Sequence, residues 1–183
     1  MGLGLRKEKS YTFEDWLSWD EGVRAEIMDG ALVMMAPPSQ KHQEIMGEIF
    51  RQLATFLKGK SCKVFPAPFG VRLAQDEHTA LEPDIVVVCD RKKLDGKVCN
   101  GAPDMVVEVS SPSTARHDRL VKYHKYLHAG VREYWIVDPD TKTVQVFLLE
   151  GGKYVVNAYG DTDVVSVSVL EDCQITLEDV FAE

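Results

Sequence analysis

The sequence predicts a mixed α/β protein whose central sheet is covered by helices on both faces. Two observations carry this. "PDIVVVC" (residues 83–89) and "MVVEV" (105–109) are short apolar runs, and a strand without polar alternation is expected where both faces of a sheet are packed. The second is the order of elements: helix, hairpin, helix, strands, helix, strands, all within 183 residues. That length and order fit one layered domain, residues 1–183, better than two.

Each element has a local reason. "YTFEDWLSW" opens with Thr12 as the N-cap of a short helix. In "AEIMDGALVMM" the Asp29-Gly30 pair stands between apolar stretches and predicts a tight hairpin. "APPSQ" then breaks the chain, and Ser39 caps the next helix. There Met46, Ile49, Phe50, Leu53 and Leu57 recur at helical spacing until Gly59 stops it. Strands are expected from Cys62 to Phe65 and from Val71 to Leu73, ahead of the two apolar runs. "STARHDRLVKYHKYLHAG" predicts a helix capped near Ser113 and ended by Gly130. "REYWIVDPDTKTVQVFLL" predicts two strands joined at Pro139, with Trp135 in the core, and later strands lie around Val155 and Val165.

Composition narrows the function classes. A formal net charge of −8 argues against a general polyanion binder, because phosphate contacts require Lys and Arg. The balance reverses locally in "RHDRLVKYHK" (116–125), where Arg116, Arg119, Lys122 and Lys125 face only Asp118. A basic surface is expected there, and "DRKK" (90–93) is a second candidate. No apolar run approaches the roughly 20 residues that span a bilayer, and the amino terminus carries no secretory segment. Arg6 stands where a myristoylation motif needs Ser or Thr. The four cysteines, Cys62, Cys89, Cys99 and Cys173, form no CxxC and no metal-ligand spacing, so reduced thiols in a cytoplasmic protein are expected.

The chemistry concentrates in the apolar strands. Glu108 lies inside one run and Asp84 begins the other. A charge in such a strand is costly unless it is paired or coordinates something. If the strands are neighbours, the two carboxylates converge and repel unless a cation sits between them. Hard oxygen ligands favour Mg²⁺, with Mn²⁺ as a substitute, and the Val109 carbonyl offers a third ligand. Ser110 points to the Glu108 side of its strand. Asp118, Lys122 and Tyr126, spaced i, i+4, i+8, share a helical stripe. A lysine beside a metal steadies an attacking water or the charge growing on a phosphate. His42 reads first as a hydrogen-bonded core histidine. Glu44 and Glu48 read as a solvated helix face, and Glu82 as a further acid.

"EPD", then "PDMVVEVSSPS", then "D…K…Y…GVREYWIVDP" resemble, in that order, the Uma-type family of bacterial endonucleases. That family belongs to the PD-(D/E)xK, restriction-endonuclease-like superfamily, and "EIMDGALVMMAPPSQKH" resembles its amino-terminal half. The resemblance implies a restriction-endonuclease-like α/β fold: a mixed central β-sheet flanked by helices, with an N-terminal helix and β-hairpin. It implies Asp84 and Glu108 as metal-binding catalytic acids. It also implies Lys122 as the catalytic lysine, moved from the position two residues after the second acid, where this chain has Ser110. It places His42 near the site, with Glu82, Ser110, Asp118 and Tyr126 around it. The implied substrate is nucleic acid, DNA first, docked through Arg116, Arg119 and Lys125, and the implied assembly is a homodimer. Two other readings stay open: a nuclease-fold binding module that has lost turnover, and an interaction protein in which Glu108 simply pairs with Lys122.

Overall fold

In the computed structural model, residues 9–20, 22–73, 77–110 and 118–182 are described, the side chains of Asp118 and Arg119 excepted. Helix α1 (Phe13–Leu17) opens with a reciprocal cap. Thr12 Oγ1 accepts the Asp15 amide N–H, and the Asp15 carboxylate accepts the Thr12 amide N–H. Strands β1 (Ala25–Met28) and β2 (Ala31–Met34) pair antiparallel. They turn through Asp29 at φ 51° and Gly30 at φ 79°, the two left-handed residues that a tight hairpin turn demands. β1 is buried throughout, and Ile27 bridges to Ala80. Ser39 caps α2 (Gln40–Leu57) by accepting the His42 amide at 3.2 Å.

The central sheet has six strands in the order β10-β9-β8-β7-β5-β3. Their ranges are β3 Lys63–Pro66, β5 Ile85–Val88, β7 Met105–Val109, β8 Glu133–Asp138, β9 Thr143–Glu150 and β10 Lys153–Tyr159. β7 and β8 run parallel and the other neighbours antiparallel. Three smaller elements flank the sheet: a parallel pair of β4 (Gly70–Arg72) with β6 (Val98–Asn100), an antiparallel pair of β11 (Val164–Ser166) with β12 (Gln174–Thr176), and the short α4 (Leu177–Val180).

Alternation along the strands divides the core between two faces. Ile85, Val87, Met105, Val107 and Trp135 pack with Ile45, Ile49 and Leu53 of α2. Val86, Val88, Val106, Tyr134 and Ile136 pack on the other side with Leu81, Met28 and Tyr126. β5 and β7 are buried at every position. This double cover is why these strands are continuously apolar.

Two expectations are corrected. The helix expected from Ser113 to Gly130 is described only from Asp118; its cap near Ser113 lies outside the described residues. It begins as a π turn (Asp118–Lys122), continues as α3 (Tyr123–Ala129) and ends at Gly130 with φ 84°. The i→i+5 spacing of a π turn departs from the α-helical period, yet Lys122 and Tyr126 still share a face, since both reach Glu108 Oε1. Cys62 and Cys89 are not free thiols but form a disulfide, whereas Cys99 and Cys173 are free and buried. The reason is register. Lys63 pairs with Val88 in the β3–β5 ladder, so the next residues outward, Cys62 and Cys89, meet across the strands. Among the described residues no helix is long and apolar enough to cross a membrane.

Candidate active site

The β5–β7 ladder ends with Ile85 opposite Val107, and one further step in this register sets Asp84 across from Glu108. Asp84 Oδ2 accepts the Val109 amide N–H at 2.8 Å. His42, in the first turn of α2, brings Nε2 to 3.2 Å from the same oxygen. Burial pulls the His42 pKa down. The hydrogen bond and charge of Asp84, with a hydrogen bond to the Val109 backbone, more than offset this and raise it.

Glu108 is 5% exposed. Its Oε1 accepts from Lys122 Nζ at 2.9 Å and from the Tyr126 hydroxyl at 2.7 Å. Burial, followed by the negative charges of Glu108 and Glu26, pushes the Tyr126 phenol well above its ordinary pKa. Tyr126 therefore stays a proton donor to the carboxylate across the neutral range. The chain itself thus supplies a cation at Glu108, Lys122, while the His42 imidazole stands against Asp84.

The sequence reading missed Glu26 and Arg24. Glu26 on β1 places Oε1 3.0 Å from Lys122 Nζ, and the same oxygen accepts the Glu82 amide at 2.9 Å. Glu82 lies 3.6 Å from Arg24. Burial raises the Glu82 pKa; Arg24 counters this, and the Glu26 charge adds to it. The missed signal was present: Glu26, like Glu108, is a single carboxylate among apolar neighbours, Ala25, Ile27 and Met28.

A cleft of about 450 Å³ is bordered by His42, Asp84, Glu108, Val109, Ser110 and Lys122, and the segment from Met34 to Pro38 also borders it. Tyr126 is fully buried and reaches Glu108 from within the core. Ser110 lines the cleft, but its hydroxyl donates to the Val137 carbonyl at 3.1 Å. Lys125 turns to the hairpin, with Nζ 2.7 Å from Asp29 Oδ1 and 2.9 Å from Thr79 Oγ1. Arg116 and the side chains of Asp118 and Arg119 lie outside the described residues. In the second basic stretch Arg91 donates to the Ser61 carbonyl and Lys93 to the Ala102 carbonyl. Glu44 and Glu48 are engaged locally on α2, with Gln40 and with Arg51 and Gln52.

Among the described residues, no group of three or more His, Cys, Asp or Glu side chains is arranged to hold a metal ion. Two carboxylates and one main-chain carbonyl form a smaller set. Asp84, Glu108 and Val109 border the same cleft, and this all-oxygen set suits a hard divalent cation that keeps several waters.

A mixed sheet flanked by helices brings Asp84 beside β5, Glu108 on β7 and Lys122 of the following π turn to one cleft. The pattern of the Uma2 family, described as "Putative restriction endonuclease", matches residues 12–178, and the chain belongs to that family. It is similar to the "Uncharacterized protein slr1290" of Synechocystis sp., with 26% identity over 137 residues, 73% of this chain and 72% of that protein. It is also similar in fold to a crystal structure from Anabaena variabilis titled as "a putative nuclease belonging to DUF820". That likeness has a TM-score of 0.77 and 21% identity, covering 94% of this chain and 98% of that one.

Proposed function

We propose that the chain is a metal-dependent endonuclease that hydrolyses nucleic-acid phosphodiester bonds, DNA first. One observation carries the reading: Asp84, Glu108 and Lys122 border a single cleft in a chain of this family. Asp84, Glu108 and the Val109 carbonyl would hold Mg²⁺, or Mn²⁺ in its place. When bound, the ion would supply Lewis-acid polarisation of the phosphate and a more acidic water.

The chain's own groups have definable tasks. The Val109 amide and His42 fix the Asp84 carboxylate. Lys122 and Tyr126 fix Glu108, leaving the lysine ammonium beside the cleft to steady negative charge on a phosphate. Arg116 and Arg119 would contact flanking phosphates. The family match over residues 12–178 supports reading residues 1–183 as one domain, and a homodimer in the cytoplasm is proposed with it.

Calorimetry with Mn²⁺ tests the ion site: wild type should bind, and Asp84→Ala and Glu108→Ala should each lose binding. Unchanged affinity in both variants would remove the assignment. Docking is read separately. Replacing Arg116 and Arg119 with Ser should flatten the salt dependence of DNA binding by roughly one unit per lost phosphate contact.

One observation favours a second reading, a nuclease-fold binding module without turnover. Position 110 is a serine bonded to Val137, and the Lys122 ammonium is held by two carboxylates. Such a module would bind nucleic acid without cleaving it.

A further inference from the structure

Glu26 stands on the hairpin, outside the strands that carry Asp84 and Glu108. It is 3% exposed and Lys122 4%, so their 3.0 Å contact is made out of water. A lysine ammonium has three N–H donors on a flexible stem, and one carboxylate leaves it free to rotate and swing. Two carboxylates on different elements fix two donor directions and so restrain the ammonium. Lys122 has this arrangement, with Glu108 at 2.9 Å from β7 and Glu26 at 3.0 Å from β1.

The same Glu26 oxygen accepts the Glu82 amide, two residues before Asp84. One buried carboxylate therefore ties the ammonium to the segment that leads into the first acid. We propose that Glu26 is a positioning residue, which holds the Lys122 ammonium in register with both Asp84 and Glu108. The proposal rests on the reading of Lys122 as the working cation of the cleft.

The alternative is that Glu26 only anchors the hairpin, and a double-mutant cycle separates the two. Glu26→Gln keeps the side-chain shape and an acceptor for the Glu82 amide while replacing the charged acceptor at Lys122. With Mn²⁺ and a nucleic-acid substrate, Glu26→Gln should lower kcat on the order of ten- to a hundredfold while leaving KM and Mn²⁺ affinity nearly unchanged. In a Lys122→Met background the same change should cause no further loss, because the positioned group is already gone. Equal losses in both backgrounds would overturn the proposal. If Glu26→Gln does not fold, Glu26→Asp enters the same cycle.

A second readout does not need cleavage. The Lys122 ammonium protons should exchange slowly with water in wild type by nitrogen-detected NMR and faster in Glu26→Gln. A signal unchanged by Glu26→Gln would also overturn the proposal. Absence of cleavage by wild type on every substrate would instead refute the endonuclease reading, and the exchange measurement would still decide the role of Glu26.

Discussion

Glu108 and Glu133 are buried carboxylates in neighbouring parallel strands, and their surroundings differ in kind. Glu108 lies opposite Ile136, whereas Glu133 lies opposite Met105 on the other face of the sheet. Glu133 is 0% exposed. Its two oxygens accept the Trp135 indole N–H at 2.7 Å and the Val169 amide N–H at 2.9 Å. These neutral donors make a clamp that joins the sheet to the chain before β12. Glu108 instead meets an ammonium and a phenol and borders a cleft. An acid buried within a strand therefore marks a need for partners. The charge of those partners and access to a cavity separate a reactive site from a structural fastening.

The sharpest way to break this contrast is at Lys122. Lys122→Ala should keep Mn²⁺ binding yet lose cleavage by on the order of 10²–10⁴ in rate, the usual worth of such an electrostatic or acid–base group. Full activity would make Lys122 an ion-pair partner of Glu108, and the catalytic cation would have to be sought elsewhere.

At the other acid the effect should fall on stability. Glu133→Ala leaves the Trp135 and Val169 donors without their acceptor, and each unsatisfied buried donor costs about 1–3 kcal/mol. Urea unfolding should show that loss, with cleavage per folded molecule unchanged. A loss of activity beyond the unfolded fraction would extend the site to Glu133.

A pH scan sharpens the same point by a smaller amount. Burial raises the Glu133 pKa above its ordinary 4.5, outweighing the hydrogen bonds from Trp135 and Val169. In the window between 4.5 and the raised value the folded protein keeps a proton that the unfolded chain has lost. The contribution of this group to stability is therefore full below the window and falls as pH rises through it. Glu133→Gln should remove that slope from the pH dependence of unfolding; an identical slope in wild type and variant would show that another group causes it.

The smallest effect belongs to Lys125, whose partner Asp29 is largely exposed. Lys125→Ala should cost no more than about 1 kcal/mol in urea unfolding. A larger loss would mean that docking of α3 on the hairpin turn is a principal fastening of the fold.

What was legible in the sequence follows the range of the interactions concerned. The Thr12 and Ser39 caps, the Asp29-Gly30 turn and the apolar runs act within a few residues, and each formed where expected. The adjacency of Asp84 and Glu108 was legible only as a condition, because two doubly buried strands must lie inside the sheet but need not be neighbours; the pairing of β5 with β7 supplies it. Glu26 carried the same signature, but its link to Lys122 depends on how the hairpin packs against the sheet. The Cys62–Cys89 bond joins residues 27 apart and depends on strand register rather than spacing. Counting charges from 116 to 125 gave a basic stretch without saying which way each side chain turns. Lys122 turns inward and Lys125 toward Asp29.

The account's central claim is tested most directly by incubating the wild-type protein and Glu108→Gln with single-stranded and duplex DNA and RNA, each with Mg²⁺, with Mn²⁺ and with EDTA. Wild type should cleave at least one substrate when either ion is present, EDTA should stop it, and Glu108→Gln should leave the same substrate intact. Cleavage by Glu108→Gln at the wild-type rate, or no cleavage of any substrate by wild type, would contradict it.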